Sequence, residues 1–173
     1  MSAKLLPEHL LEQAKHLVRR ERTRPRQASL RRAISTAYYA LFHFLIVETV
    51  RQIGPNLSED NYNRAYRWFD HGAMKRVARA FSEDVVRIPN SKEVLIQKND
   101  AGLQFIAQHF ADLQELRHLA DYDPGAIFIR ADVLAVTDRV STTFLVWPTV
   151  KNSAEANALL LSFLLWDKWG KRP

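Results

Sequence analysis

The stretch from about residue 26 to 51 carries an apolar arc at helical spacing, and that arc constrains the fold more than any other feature. Ala28, Ala33, Ala37, Ala40, Leu41, Phe44 and Leu45 recur with a period near 3.6 residues. Ile53-Gly54-Pro55-Asn56 then ends the run. A long helix that is apolar over a wide arc has to be covered by other elements, and the rest of the chain supplies helices for the purpose.

Pro7, at a helix-start position, and Leu10, Leu11, Ala14, Leu17 and Val18 predict a first helix over about 7–22, with Pro25 in the connector. Ser58 with Glu59 and Asp60 looks like the cap of a short helix to about Trp68, and 71–82 predicts another. Residues 85–98, with Pro89 and Asn90, read as a loop. Asn99 or Asp100 caps a long helix through Leu103, Ile106, Phe110, Leu113 and Leu116 to about Ala120. Asp121-Tyr122-Asp123-Pro124-Gly125 breaks it. Ala126–Ile129 fits a short strand or an extended linker, and 130–147 is helical again, stopped near Pro148. Ser153 caps a last helix over about 153–168, whose Leu159–Trp166 segment is apolar nearly all round. The expected architecture is all-α: an up-down helical bundle with two short inserted helices and an extra C-terminal helix. One domain is expected over 1–173, its core at about 7–150.

Composition narrows the chemistry. The 173 residues are 47% hydrophobic and 25% charged, an ordinary globular balance. Five Gly and seven Pro are few for an all-β sandwich, and the absence of Cys excludes disulfide scaffolds and thiol catalysis. Mean hydropathy is -0.27, and no run reaches the roughly 18 uncharged apolar residues of a membrane span. A cytoplasmic protein without membrane contact is the expectation. The net charge is +6, with 17 of the 25 cations Arg. That balance suits phosphate-bearing partners, because guanidinium is a planar, permanently charged fork.

Three groupings carry chemistry. At about 100° per residue, Arg32, Thr36, Tyr39 and His43 fall within about 60° of one another on the long helix. A guanidinium, a hydroxyl, a phenol and an imidazole on one line suit a phosphate grip with an acid or base beside it. The same residues also suit wet-ended core aromatics with a satisfied histidine. In Leu116-Arg117-His118-Leu119-Ala120-Asp121-Tyr122, Arg117 and Asp121 stand four apart and pair on one face. The third grouping is Arg19, Arg20, Arg22, Arg24, Arg26, Arg31 and Arg32, interrupted only by Glu21 among charged residues. It is a footprint for a phosphate backbone, or a solvated turn. Nucleotide loops and hydrolase or metalloprotease motifs are missing. His9, Glu12 and His16 share a helix face, but no fourth ligand converges on them, so neither metal nor cofactor is expected.

Arg32-Ala33-Ile34-Ser35-Thr36-Ala37-Tyr38-Tyr39-Ala40-Leu41-Phe42-His43 resembles the signature helix of the HEPN superfamily, in the small bacterial and archaeal branch with R-x-x-[SA]-x-x-A-Y-Y-A-x-F-H. Arg117-His118-Leu119-Ala120-Asp121-Tyr122 is similar to that branch's R-x-x-A-D-Y. The resemblance covers about residues 8–147. It implies a helical bundle that usually dimerises. In many members it implies a metal-independent endoribonuclease of toxin–antitoxin or defence systems, built on R-x4-6-H. In others it implies binding of nucleotide, RNA or a nucleotidyltransferase-like partner. Carried across, Arg117 takes the place of the catalytic Arg. Asp121-Tyr122 stands where the motif's His belongs, and only Arg64 and His71 satisfy that spacing literally.

The expectation is therefore RNA or nucleotide phosphate engaged through a basic dimer cleft. Arg117, His43 and Asp121 are the candidate catalytic residues. Arg32, Tyr39, Tyr122 and the Arg19–Arg31 cluster are the candidate phosphate contacts. The alternative is a non-catalytic binding or scaffold module pairing with a partner protein such as a nucleotidyltransferase or an antitoxin.

Overall fold

The computed structural model describes residues 5–169, and these are all-α apart from one small hairpin. The elements are α1 (Leu6–Arg19), α2 (Gln27–Ile53), α3 (Glu59–Ala65) with a 3-10 turn (Tyr66–Trp68), and α4 (His71–Phe81). Then come β1 (Val86–Arg87), β2 (Val94–Ile96), α5 (Ala101–Tyr122), α6 (Arg130–Val150) and α7 (Ala154–Trp169).

Helix starts follow side-chain chemistry. Ser58 accepts from the Asn61 amide and Asp70 from the Ala73 amide. Asp100 Oδ1 accepts from Gly102 and Leu103, and Ser153 from Ala156. Each cap satisfies an amide that the first helical turn leaves without a carbonyl.

The chain forms two compact units, and the divisions fall inside α2, α5 and α6. The first comprises the chain up to Phe44 with Asp112–Leu145. Its core is Leu11, Ala14 and Val18 of α1, Leu30 to Leu41 along the inner side of α2, Leu113 of α5, and Val133, Val136 and Val140 of α6. The second comprises Leu45–Ala111 with the chain from Val146. There Met74, Val77 and Phe81 of α4 pack with Leu103, Ile106 and Phe110 of α5 and Leu159, Phe163 and Trp166 of α7. Among the described helices only α2 is long and apolar enough to cross a membrane, and 83% of its most apolar window is buried inside the protein, as in a core helix.

Three local readings change, and one open alternative closes. Residues 85–98 hold an antiparallel hairpin, Val86 opposite Ile96, turning through Asn90 at φ 58°. Strands of two and three residues are too short to show a two-residue period. Ala126–Ile129 is an extended linker. Helix α6 runs through Pro148 to Val150. Proline removes one backbone donor, but Trp147 and Val150 on either side are buried, and the Trp147 indole donates to Glu48 at 2.7 Å. The Leu-rich last helix buries Leu159, Leu160 and Phe163 but leaves Leu161 and Leu165 exposed, so its surplus apolar surface is one strip.

Candidate functional site

The site belongs to the first unit, where the middle of α2 faces the last turns of α5. Tyr38 and Tyr39 are consecutive on α2 and so point to different sides. Tyr38 is fully buried, and Tyr39 is half-buried. The outward phenol meets α5: Arg117 Nη2 donates to Tyr39 Oη at 3.0 Å.

One turn on, Asp121 Oδ2 lies 2.8 Å from Arg117 Nε, the i,i+4 pair expected from spacing alone. The other carboxylate oxygen, Oδ1, accepts a short hydrogen bond from Ser35 of α2. Ser35, Asp121, Arg117 and Tyr39 thus form a continuous polar chain between two helices. Ser35 holds the serine place of the R-x-x-S spacing, which by itself assigns no role to its hydroxyl.

Aromatic rings surround the guanidinium. Its carbon lies 5.8 Å from the Tyr38 centroid, 5.7 Å from Tyr39 and 5.6 Å from Tyr122. A planar cation over ring faces gains electrostatic attraction in all three contacts. Burial works against the charge on Arg117. The Tyr39 hydrogen bond and the negative ends of Tyr39, Asp121 and Tyr122 outweigh it, raising the Arg117 pKa further. The side chain is 19% exposed, so Arg117 is a fixed cation with an outlet to solvent.

His43 stacks on the same Tyr39 ring, centroids 6.0 Å apart and planes 25° from parallel. His43 and Arg117 therefore converge on one phenol from two helices. Tyr122 is 64% exposed and lies 5.0 Å from the exposed His118 ring. Arg32, by contrast, is exposed.

The arginine cluster divides. Arg31 is engaged internally: Nη1 donates to the Ala120 and Asp123 carbonyls at 3.0 and 2.8 Å, and Nη2 to Pro124 at 3.2 Å and, in a short bond, to Ala126. It caps the C-terminus of α5 and holds the following loop. Arg19, Arg20, Arg22, Arg24 and Arg26 project to solvent. Their turn is held by Glu21, which accepts from the Ser29 hydroxyl at 2.8 Å and the Arg26 amide at 3.4 Å. The Ser29 hydrogen bond holds the Glu21 carboxyl below its usual pKa, against a smaller opposing effect of burial. Arg130 donates to the Glu21 and Arg22 carbonyls.

His9, Glu12 and His16 gain no further ligand: no grouping among the described residues has the donors for a metal ion. Arg64 lies on α3 and His71 begins α4, with the 3-10 turn between them. No protein-family model matches this chain, and comparisons with curated proteins and with solved structures return no match.

Proposed function

We propose that this chain is a HEPN-like helical module that engages RNA or nucleotide phosphate at Arg117. The observation that supports it most is the state of that side chain: a guanidinium pinned by Tyr39 and Asp121, ringed by Tyr38, Tyr39 and Tyr122, and open to solvent on one side. A pre-positioned fork loses little conformational freedom when it meets a phosphate. Exposed Tyr122 offers a ring on which a base can stack, and the cations at Arg19, Arg20, Arg22, Arg24 and Arg26 add sequence-independent attraction.

In the cleaving form of this reading, His43 takes the proton of the ribose 2′-hydroxyl as its oxygen bonds to phosphorus, Arg117 stabilises charge on the phosphorane, and His43 returns a proton to the 5′-oxygen as the P–O5′ bond breaks, its position on Tyr39 standing in for the motif histidine. The module works as a homodimer or beside a partner protein, with the α7 strip of Leu161 and Leu165 as the apolar surface available for either.

A second reading, a scaffold module without phosphate chemistry, draws support from the closed polar chain: Asp121 already neutralises Arg117 and is itself held by Ser35. Titration of labelled single-stranded RNA separates the two. The first reading expects binding at low salt that weakens steeply as salt rises; the scaffold reading expects none.

A further inference from the structure

The short α3 segment of the second unit carries a surface that no part of the Arg117 site uses. Trp68 ends the 3-10 turn with 68% of its surface exposed, the most exposed of the described tryptophans. Arg64 stands four residues before it and Arg67 immediately before it, both exposed. Neither arginine forms an ion pair among the described residues. Glu59 and Asp60 lie at the opposite end of α3, where negative charge suits the helix N-terminus.

The inner side of this segment is anchored. Ala65 is buried, Tyr62 and Tyr66 are half-buried with their ring centroids 6.3 Å apart, and Ser58 caps the helix. Trp68 is therefore an exposed indole on a held backbone turn that also carries two exposed guanidinium groups, at Arg64 and Arg67. A large aromatic face left in water on a segment that carries two cations matches the chemistry of an unpaired nucleobase with its phosphates. The base covers the indole, and each arginine meets a phosphate oxygen.

We infer that Trp68, Arg64 and Arg67 form a stacking site for one unpaired base of a single-stranded RNA. This inference rests on the proposed RNA-binding function but uses none of the residues of the Arg117 site. The test is a titration of oligo(U), and of an abasic strand of equal length, into wild-type protein, Trp68→Ala, Trp68→Phe, Arg64→Ala/Arg67→Ala and Arg117→Ala. It is read by tryptophan fluorescence and by anisotropy of an end label.

Oligo(U) should quench wild-type fluorescence. Trp68→Ala should weaken its binding by roughly tenfold, with the salt slope unchanged, and Trp68→Phe should recover part of the loss. The abasic strand should bind wild type and Trp68→Ala alike. The double arginine variant should flatten the slope of log affinity against log salt by up to about 1.4, two phosphates of a single strand. Equal oligo(U) affinity in wild type and Trp68→Ala, while Arg117→Ala still binds less tightly, overturns the stacking site and leaves the proposed function standing. No RNA binding by wild type at low salt overturns both.

Discussion

The phenolic oxygen of Tyr39 accepts a hydrogen bond from Nη2 of Arg117, 3.0 Å away in space and 78 residues along the chain. This contact ties α2 to the end of α5 and sets where the guanidinium stands relative to His43, whose ring lies on the other contact of the same phenol. Tyr39→Phe removes the acceptor and keeps the ring. It should destabilise the protein by about 1 kcal/mol, the net worth of one such bond. Urea unfolding followed by circular dichroism reads the change, and an unmoved midpoint contradicts the role given to the hydroxyl.

Arg31 donates to four carbonyls at the end of α5 and in the loop after it. Arg31→Ala leaves those acceptors to water and should cost about 1–3 kcal/mol. Arg31→Lys should recover little, because a single ammonium cannot span acceptors arranged for a planar fork. Amide hydrogen exchange should speed up across residues 120–129 in both variants. Protection equal to wild type in Arg31→Ala counts against the cap.

Burial raises the Tyr66 pKa well above the ordinary 10.0, with Tyr62 adding to the effect, and burial raises Tyr62 as well. Below pH 10 folded and unfolded chains both keep these phenols protonated, and the stability they contribute is fully present. As pH climbs past 10 the unfolded chain releases the protons and the folded one retains them, so stability falls towards the raised folded pKa. Unfolding free energy measured from pH 8 upward should drop above pH 10, and drop less in Tyr66→Phe. Parallel curves for the two proteins contradict the assignment.

On α7, Leu160 is 1% exposed while Leu161 and Leu165 are 37% and 43% exposed. Leu160→Glu should unfold the second unit, since an unpaired charge in a core costs several kcal/mol. Leu161→Glu/Leu165→Glu should keep the wild-type melting midpoint within about 0.5 kcal/mol of stability if measured on the monomer. Light scattering should show that the double variant loses a homodimer formed by wild type. A wild type that is monomeric at high concentration removes the homodimer from the proposal.

Much of the framework was legible because it rests on local chemistry. Ser153 and Ser58 start the helices they were expected to start, Asp100 is the one of Asn99 and Asp100 that caps α5, and Arg117 pairs with Asp121 as four-residue spacing dictates. The stripe on α2 correctly aligned Tyr39 with His43. It could not tell that Arg32 points to solvent, since helical phase gives direction but not what the facing helix offers. Arg31 looked like one more member of a basic run, because its acceptors lie about ninety residues away and are backbone carbonyls that every residue possesses. Ser35 was missed for the same reason: its partner, Asp121, comes from α5. Pro148 marks a stop by local rules, yet the buried Trp147 and Val150 carry α6 past it.

The affinity of the Arg117→Ala variant for single-stranded RNA, beside wild type at one fixed low salt, bears most directly on the proposed function. Circular dichroism and a melting curve on both proteins establish that the helices persist. The proposal predicts a loss of about 10- to 100-fold, the worth of one charge-assisted phosphate contact, with only a small part regained in Arg117→Lys. A folded Arg117→Ala protein that binds RNA as tightly as wild type contradicts the placement of phosphate at this residue.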